Sequence, residues 1–222
     1  MIYINSRFLT QKITGSQRFA IEISRQLNKL LPDVRFIAPK NIIHHDIAKE
    51  LEVESFGNLT GHLWEQIELP LYLKKKGNPL LLNLVNTAPI FYENKIITVM
   101  DLSWKHFPYA VSKKFYLWYN FLIPKICRNF RLIFTLSEFS KDDLIKTFDI
   151  DGNKIEIISC SFSKNFKFLN ILKEKIILSV ASIQPYKNLG SLIKAFISLK
   201  NRNKFLDYKL VLVGGYNKNV FA

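Results

Sequence analysis

A chain of 222 residues holds one large domain, or one domain and part of another. Its 48% hydrophobic and 14% aromatic content exclude a disordered chain, and a formal charge of +14 attracts phosphate-rich partners: nucleic acid, anionic lipid or nucleotide-activated substrates. Lysine carries most of that excess, for which the coding bias of an AT-rich genome is the plain alternative source. The two cysteines, Cys127 and Cys160, lie beside apolar segments and read as buried, reduced thiols. The start, Met1-Ile2-Tyr3-Ile4-Asn5, turns polar too soon for a signal peptide. No apolar run approaches the roughly 20 residues of a membrane-spanning helix. The expected location is the cytoplasm, with peripheral contact at the inner membrane face.

Strand and helix patterns alternate along the chain. Ile2 to Ile4 reads as a first strand, and Ser16 to Leu31 as a helix with Phe19, Ile23, Leu27 and Leu30 at helical spacing. Val34 to Ala38 is a second strand. Trp64, Ile67, Leu71 and Leu73 mark a helix ending at Lys74-Lys75-Lys76-Gly77. Leu80 to Leu82 and Ile96 to Val99 read as strands, Lys113 to Asn129 as a helix with Pro124 at a kink. Leu132 to Thr135 is a strand, Ser137 caps a further helix, and Ile155 to Ile158 closes the first domain. Ser159 to Glu174 lacks periodicity and reads as a linker. From Lys175 the pattern restarts: an apolar strand, a polar corner with Lys187, a helix, and a strand ending in Gly214-Gly215. Short, wholly apolar strands between helices imply a parallel sheet covered on both faces. The fold expected is therefore α/β: a complete Rossmann-like domain over 1–165, then a linker and the start of a second over 166–222. The chain stops eight residues past Gly214 (222 − 214), so the second domain is expected to be unfinished.

Few residues suggest chemistry. Gly15, in Thr14-Gly15-Ser16-Gln17-Arg18, would let a backbone approach a phosphate or sugar, and Arg18 would hold an anion. A plain turn glycine and a surface arginine are the bland alternatives. Asp101 follows a strand, where open α/β sheets bind ligands, and Asn86 lies at a similar strand end. Either also serves as a loop residue bonding its own backbone. Capping alone explains Ser137, and Phe139 is expected in the core. Lys187 stands before a helix, with Asn188 as its N-cap, where free N–H groups and a cation suit a diphosphate. His44-His45-Asp46 lacks metal-ligand spacing, and His62 and His106 are isolated. No P-loop, Gly-x-Gly-x-x-Gly, Gly-x-Ser-x-Gly or paired-cysteine zinc pattern occurs. Lysines and aromatics interleave in 113–119, which fits a core-packed helix, an anionic membrane surface or nucleic acid.

Taken in order, these blocks resemble the family 4 retaining glycosyltransferases of the GT-B fold, in particular the bacterial group 1 mannosyltransferase-like members. Thr14-Gly15-Ser16-Gln17-Arg18-Phe19, Trp64-Glu65-Gln66, Asn86-Thr87-Ala88-Pro89, Thr135-Leu136-Ser137-Glu138-Phe139-Ser140-Lys141 and Ser182-Ile183-Gln184-Pro185-Tyr186-Lys187-Asn188-Leu189 carry the resemblance. It implies two Rossmann-like domains and transfer of a hexose from a GDP- or UDP-linked sugar, without a metal, to a saccharide or lipid-linked acceptor in cell-surface polysaccharide or lipopolysaccharide synthesis. It implies donor contacts at Gly15, Lys187 and Asn188, acceptor or loop contacts at Arg18, Asn86 and Ser137, and Asp101 as the catalytic candidate. Two positions depart from the pattern. Tyr186 stands where the family has an arginine, and Met100 where a histidine precedes the aspartate. The family's Glu-x7-Glu block lies beyond residue 222, so weak donor binding or inactivity is expected. The alternatives are a non-catalytic acceptor-binding half that needs a separate C-terminal partner and, more weakly, a basic nucleic-acid-binding protein.

Overall fold

The structure is a computed structural model that describes residues 1–160 and 167–215. The chain packs as two units. The first joins Met1–Leu102 to Trp118–Cys160, and the second joins Ser103–Leu117 to the described part of 161–222.

The first unit is a seven-stranded parallel sheet. Its strands are β1 (Ile2–Asn5), β2 (Val34–Ala38), β3 (Glu54–Ser55), β4 (Leu80–Asn83), β5 (Lys95–Thr98), β6 (Leu132–Thr135) and β7 (Ile155–Ile157), in the order β3-β2-β1-β4-β5-β6-β7. Strand β1 lies inside the sheet, with Asn5 in register with Ile37 on one side and Asn83 on the other. Helices α1 (Gly15–Leu30), α2 (His45–Glu50), α3 (Gly61–Leu63), α4 (Leu69–Lys75) and α7 (Glu138–Phe148) belong to this unit, as does the C-terminal part of α6 (Lys113–Ile126). Alternate residues of β1 enter different cores. Ile4 packs with Phe8, Leu9, Ala20, Ile21 and Phe36, whereas Tyr3 packs with Ile37, Trp64, Leu69, Leu73 and Leu81. Both faces are therefore covered, and the strands are apolar throughout for that reason.

Between α3 and α4 the helix widens into a π turn, Trp64–Glu68. Pro70 follows inside α4 and has no N–H to return to the carbonyl of Gln66, and local widening absorbs such a break. The π turn sends both Trp64 and Glu65 inward, each fully buried. Trp64 Nε1 donates to the Phe56 carbonyl at 3.0 Å. Glu68 holds the preceding loop by accepting from the N–H groups of Asn58 (2.9 Å) and Leu59 (3.0 Å).

The second unit contains β8 (Ile176–Val180), α8 (Leu189–Asn201) and β9 (Lys209–Val213), a parallel βαβ unit with Ile176 opposite Lys209 and Val180 opposite Val213. Lys175 and Asp207 form an ion pair where the two strands begin. Ser103–Leu117, with α5 (Ser103–His106), joins this unit, and Phe107 stacks on Tyr186 at 5.5 Å. The linker expected over 159–174 falls partly on 161–166, outside the described residues.

Two expectations about burial are corrected. Phe139 is 77% exposed, because it follows the Ser137 cap on the solvent side of α7 while Ser140 and Leu144 face inward. Cys160 is exposed and only Cys127 is buried, since Cys160 lies beyond the end of β7. Both thiols are free.

Candidate functional site

Parallel α/β sheets bind ligands beyond the carboxyl ends of their strands, and here that edge carries a buried polar cluster. Asn5, the last residue of β1, donates through Nδ2 to Asn83 Oδ1 (3.0 Å) at the end of β4 and to Glu65 Oε1 (2.8 Å). Arg7 Nε donates to the same Glu65 oxygen at 3.1 Å, and its Nη2 donates to Thr87 Oγ1 at 2.6 Å. Thr87 in turn donates to Glu65 Oε1 at 3.0 Å. The other Glu65 oxygen faces His62 Nδ1 at 3.3 Å. Arg7 is 4% exposed and Glu65 fully buried. Burial by itself would push the Glu65 carboxyl up, but the Arg7 guanidinium, His62 and Asn5 outweigh it and hold the group down at about 2. Tyr119 lies within the field of Arg7, Glu65 and Asp101, and burial pushes its hydroxyl well above the usual tyrosine range.

The residues singled out in the sequence fall in both units. Gly15 is the first residue of α1, behind a capping box in which the Thr14 N–H donates to Gln17 Oε1 at 3.1 Å. It has no positive φ, and a Cβ placed there meets nothing within 4 Å. Arg18 is exposed on the first turn of α1, with no ion pair among the described residues. Asn86 is engaged internally, since its Oδ1 accepts the Met100 N–H at 2.9 Å and so ties the loop after β4 to the segment after β5. Asp101 follows β5 and is exposed. Ser137 caps α7 by accepting the Ser140 N–H at 3.2 Å. Gly15, Arg18, Asn86, Asp101 and Ser137 all belong to the first unit, whereas Lys187 and Asn188 belong to the second. There Lys187 ends a 3-10 turn, Pro185–Lys187, is exposed, and lies over the Tyr186 ring at 5.1 Å. Asn188 precedes α8 in the left-handed region (φ 52°), and its side chain makes no cap hydrogen bond. Asn188 is thus the N-cap expected, but it caps through its backbone carbonyl, which accepts the Ser191 N–H at 3.1 Å, and it takes a conformation that few other residues adopt.

Arg7 escaped the sequence reading because its partners lie 58 and 80 residues away. His62 was set aside as isolated, although its i, i+3 spacing to Glu65 was a visible signal. A cavity of about 470 Å³, lined by Lys74, Ile90, Phe91, Glu93, Lys125 and Arg128, sits by the ends of α4 and α6 and the start of β5. Strands begin at that edge, away from the polar cluster. Among the described residues no group of three or more His, Cys, Asp and Glu side chains is placed to hold a metal, and no helix is long and apolar enough to cross a membrane.

A doubly wound parallel sheet followed by a second βαβ unit is the architecture of the GT-B glycosyltransferases. Residues 161–221 match the family of glycosyl transferases, group 1. Among curated proteins it is similar to the O-antigen chain mannosyltransferase RfbU of Salmonella typhimurium, 29% identical over 150 residues that make up 67% of this chain and 40% of that protein. Among solved structures it is similar to Anabaena Alr3699/HepE in complex with UDP and glucose (TM-score 0.63, 14% identity, 97% of this chain and 61% of that one). A glycosyltransferase from Rickettsia africae ESF-5 gives a TM-score of 0.50 at 14% identity, with 99% of this chain and 69% of that one covered. The chain thus spans about two fifths of the length of the curated relative it matches.

Proposed function

We propose that this chain serves the transfer of a hexose from a UDP- or GDP-linked sugar to a saccharide or lipid-linked acceptor in cell-surface polysaccharide or lipopolysaccharide assembly. The observation that carries this reading is Gly15. Neither its φ nor its surroundings require a glycine, and it opens a helix at the ligand-binding edge of the sheet. Close approach of a ligand is the reason that remains. An O-antigen mannosyltransferase relative and a neighbour holding UDP and glucose support a sugar-nucleotide donor. In this reading Lys187 and the N-terminal amides of α8 receive the diphosphate, and their fixed positive charge stabilises the departing nucleotide without a metal. Tyr186 adds no charge there, so donor binding is weaker than with an arginine at that position. Asp101 and Arg18 lie on the acceptor side. Asn86 and Ser137 act through the loops they hold.

The test is nucleoside diphosphate release from UDP- and GDP-sugars, with and without saccharide acceptors, alongside calorimetric binding of UDP and GDP. Lys187→Ala is expected to weaken nucleotide binding about tenfold without changing thermal stability, in keeping with loss of one charge-assisted contact. Absence of both binding and release would refute the reading.

The charge of +14 and the exposed Lys113, Lys114 and Leu117 at the start of α6 support peripheral contact with an anionic bilayer. Co-sedimentation with anionic vesicles is expected to fall as salt rises. Salt-independent sedimentation, or none, would remove this part.

A further inference from the structure

The Glu65 carboxylate is ionised at any working pH, so its oxygens only accept hydrogen bonds. With His62 Nδ1 3.3 Å from Glu65 Oε2, that nitrogen carries a ring proton. Nε2, the other ring nitrogen, is left for a second hydrogen bond. The His62 side chain is 36% exposed, whereas Glu65 beneath it is fully buried. A buried carboxylate thus fixes the tautomer and direction of a ring that solvent can reach.

An aromatic surface adjoins this ring. Trp118 lies against His62 with ring centroids 5.1 Å apart, and Phe121 continues the face at 5.8 Å and 29°. Trp118 Nε1 is buried yet has no hydrogen-bond partner among the described residues, which is uncommon for an indole N–H. The backbone beneath is a π turn, a distortion often found at functional positions. A directed ring nitrogen and an apolar ring face match the chemistry of a pyranose. Such a sugar offers hydroxyl groups at its rim and C–H bonds on its face.

We propose that His62 and Trp118 form a saccharide-binding subsite in which His62 Nε2 hydrogen-bonds a hydroxyl of the acceptor sugar and Trp118 supports its ring, with Glu65 as the positioning residue. This rests on the sugar-transfer reading and adds to it the residues that hold the acceptor.

The test titrates the full 222-residue chain with neutral disaccharides of mannose, glucose and galactose, followed by saturation-transfer NMR and tryptophan fluorescence. At least one disaccharide is expected to bind. His62→Ala and Trp118→Leu should each weaken it about tenfold or more, while UDP or GDP binding stays unchanged and reports that the fold is intact. His62→Gln, which keeps an acceptor atom, should restore part of the loss. For Glu65, imidazole nitrogen NMR should show protonation at Nδ1 in the native chain and a mixed tautomer in Glu65→Gln. Binding that is equal in the native chain, His62→Ala and Trp118→Leu would overturn the proposal. Nucleoside diphosphate binding with no disaccharide bound would overturn it and leave the sugar-transfer reading standing. Binding of neither would bring down both.

Discussion

Glu65→Gln isolates the charge of the buried network, because it keeps the shape of the side chain and one acceptor oxygen. A carboxyl held at about 2, against an ordinary value of 4.5, stabilises the fold by roughly 3 kcal/mol at neutral pH. Because the folded value is depressed, that stability is fully present above about pH 4.5. It is lost as the pH falls toward 2, and by the same linkage roughly 1 kcal/mol remains at pH 3. Removing the charge also leaves Arg7, 4% exposed, without its counter-ion, and breaking a buried pair on one side costs about 3–5 kcal/mol. Glu65→Gln should therefore destabilise the chain by about 3 kcal/mol at pH 7 and by markedly less at pH 3. The assay is urea unfolding at both pH values, followed by tryptophan fluorescence, since Trp64 is adjacent and fully buried. A cost below about 1 kcal/mol at pH 7, or the same cost at both pH values, would refute the account of the network.

Three further outcomes follow from the geometry. Gly15→Ala should leave the unfolding midpoint within about 0.5 kcal/mol of the native chain, as open-surface changes do, and should lower sugar-nucleotide turnover; thermal melts and nucleotide release measure the two effects. Gly214→Ala places a Cβ 1.8 Å from the Ala181 carbonyl oxygen, so it should cost about 1–3 kcal/mol and speed hydrogen exchange in β8 and β9 while β1 and β4 keep their protection. Alkylation by iodoacetamide at pH 7.5 should modify Cys160 quickly, and Cys127 only after denaturation, because burial pushes the Cys127 thiol up to about 12; mass spectrometry before and after urea decides it.

The strands of the sheet were legible because each is short and wholly apolar, and the sequence limits for β2 and β6 coincide with the observed ones. The helix of α1 was legible from its spacing, and its expected limits, Ser16 to Leu31, lie one residue later than the observed Gly15–Leu30 at each end. Short elements were not. The sequence reading contained no α2, β3 or α5, because six, two and four residues are too few to display a period. His44-His45-Asp46, weighed as a metal motif, instead opens α2. Phe139 was placed in the core on composition, but its position on α7 turns it to solvent. The polar cluster was the least visible part. Its members come from β1, the turn after it, the π turn and the loop after β4. Nothing in a single sequence pairs Asn5 with Asn83, or Arg7 with Thr87, before the sheet order is known.

That sheet order also sets a timetable. Within this sheet an interior strand, β1, is made before both of its neighbours, and its two edges are completed by Val34–Ala38 and Leu80–Asn83. At about 5–20 residues per second, the emerging chain holds Ile2–Asn5 without its second neighbour for several seconds. The buried arginine waits as long for Thr87. Until residues 80–83 emerge, β1 keeps at least one unpaired edge, the condition that invites chaperone binding or misassociation. Expression yield should therefore depend on how this strand is shielded while residues 6 to 83 are still being made.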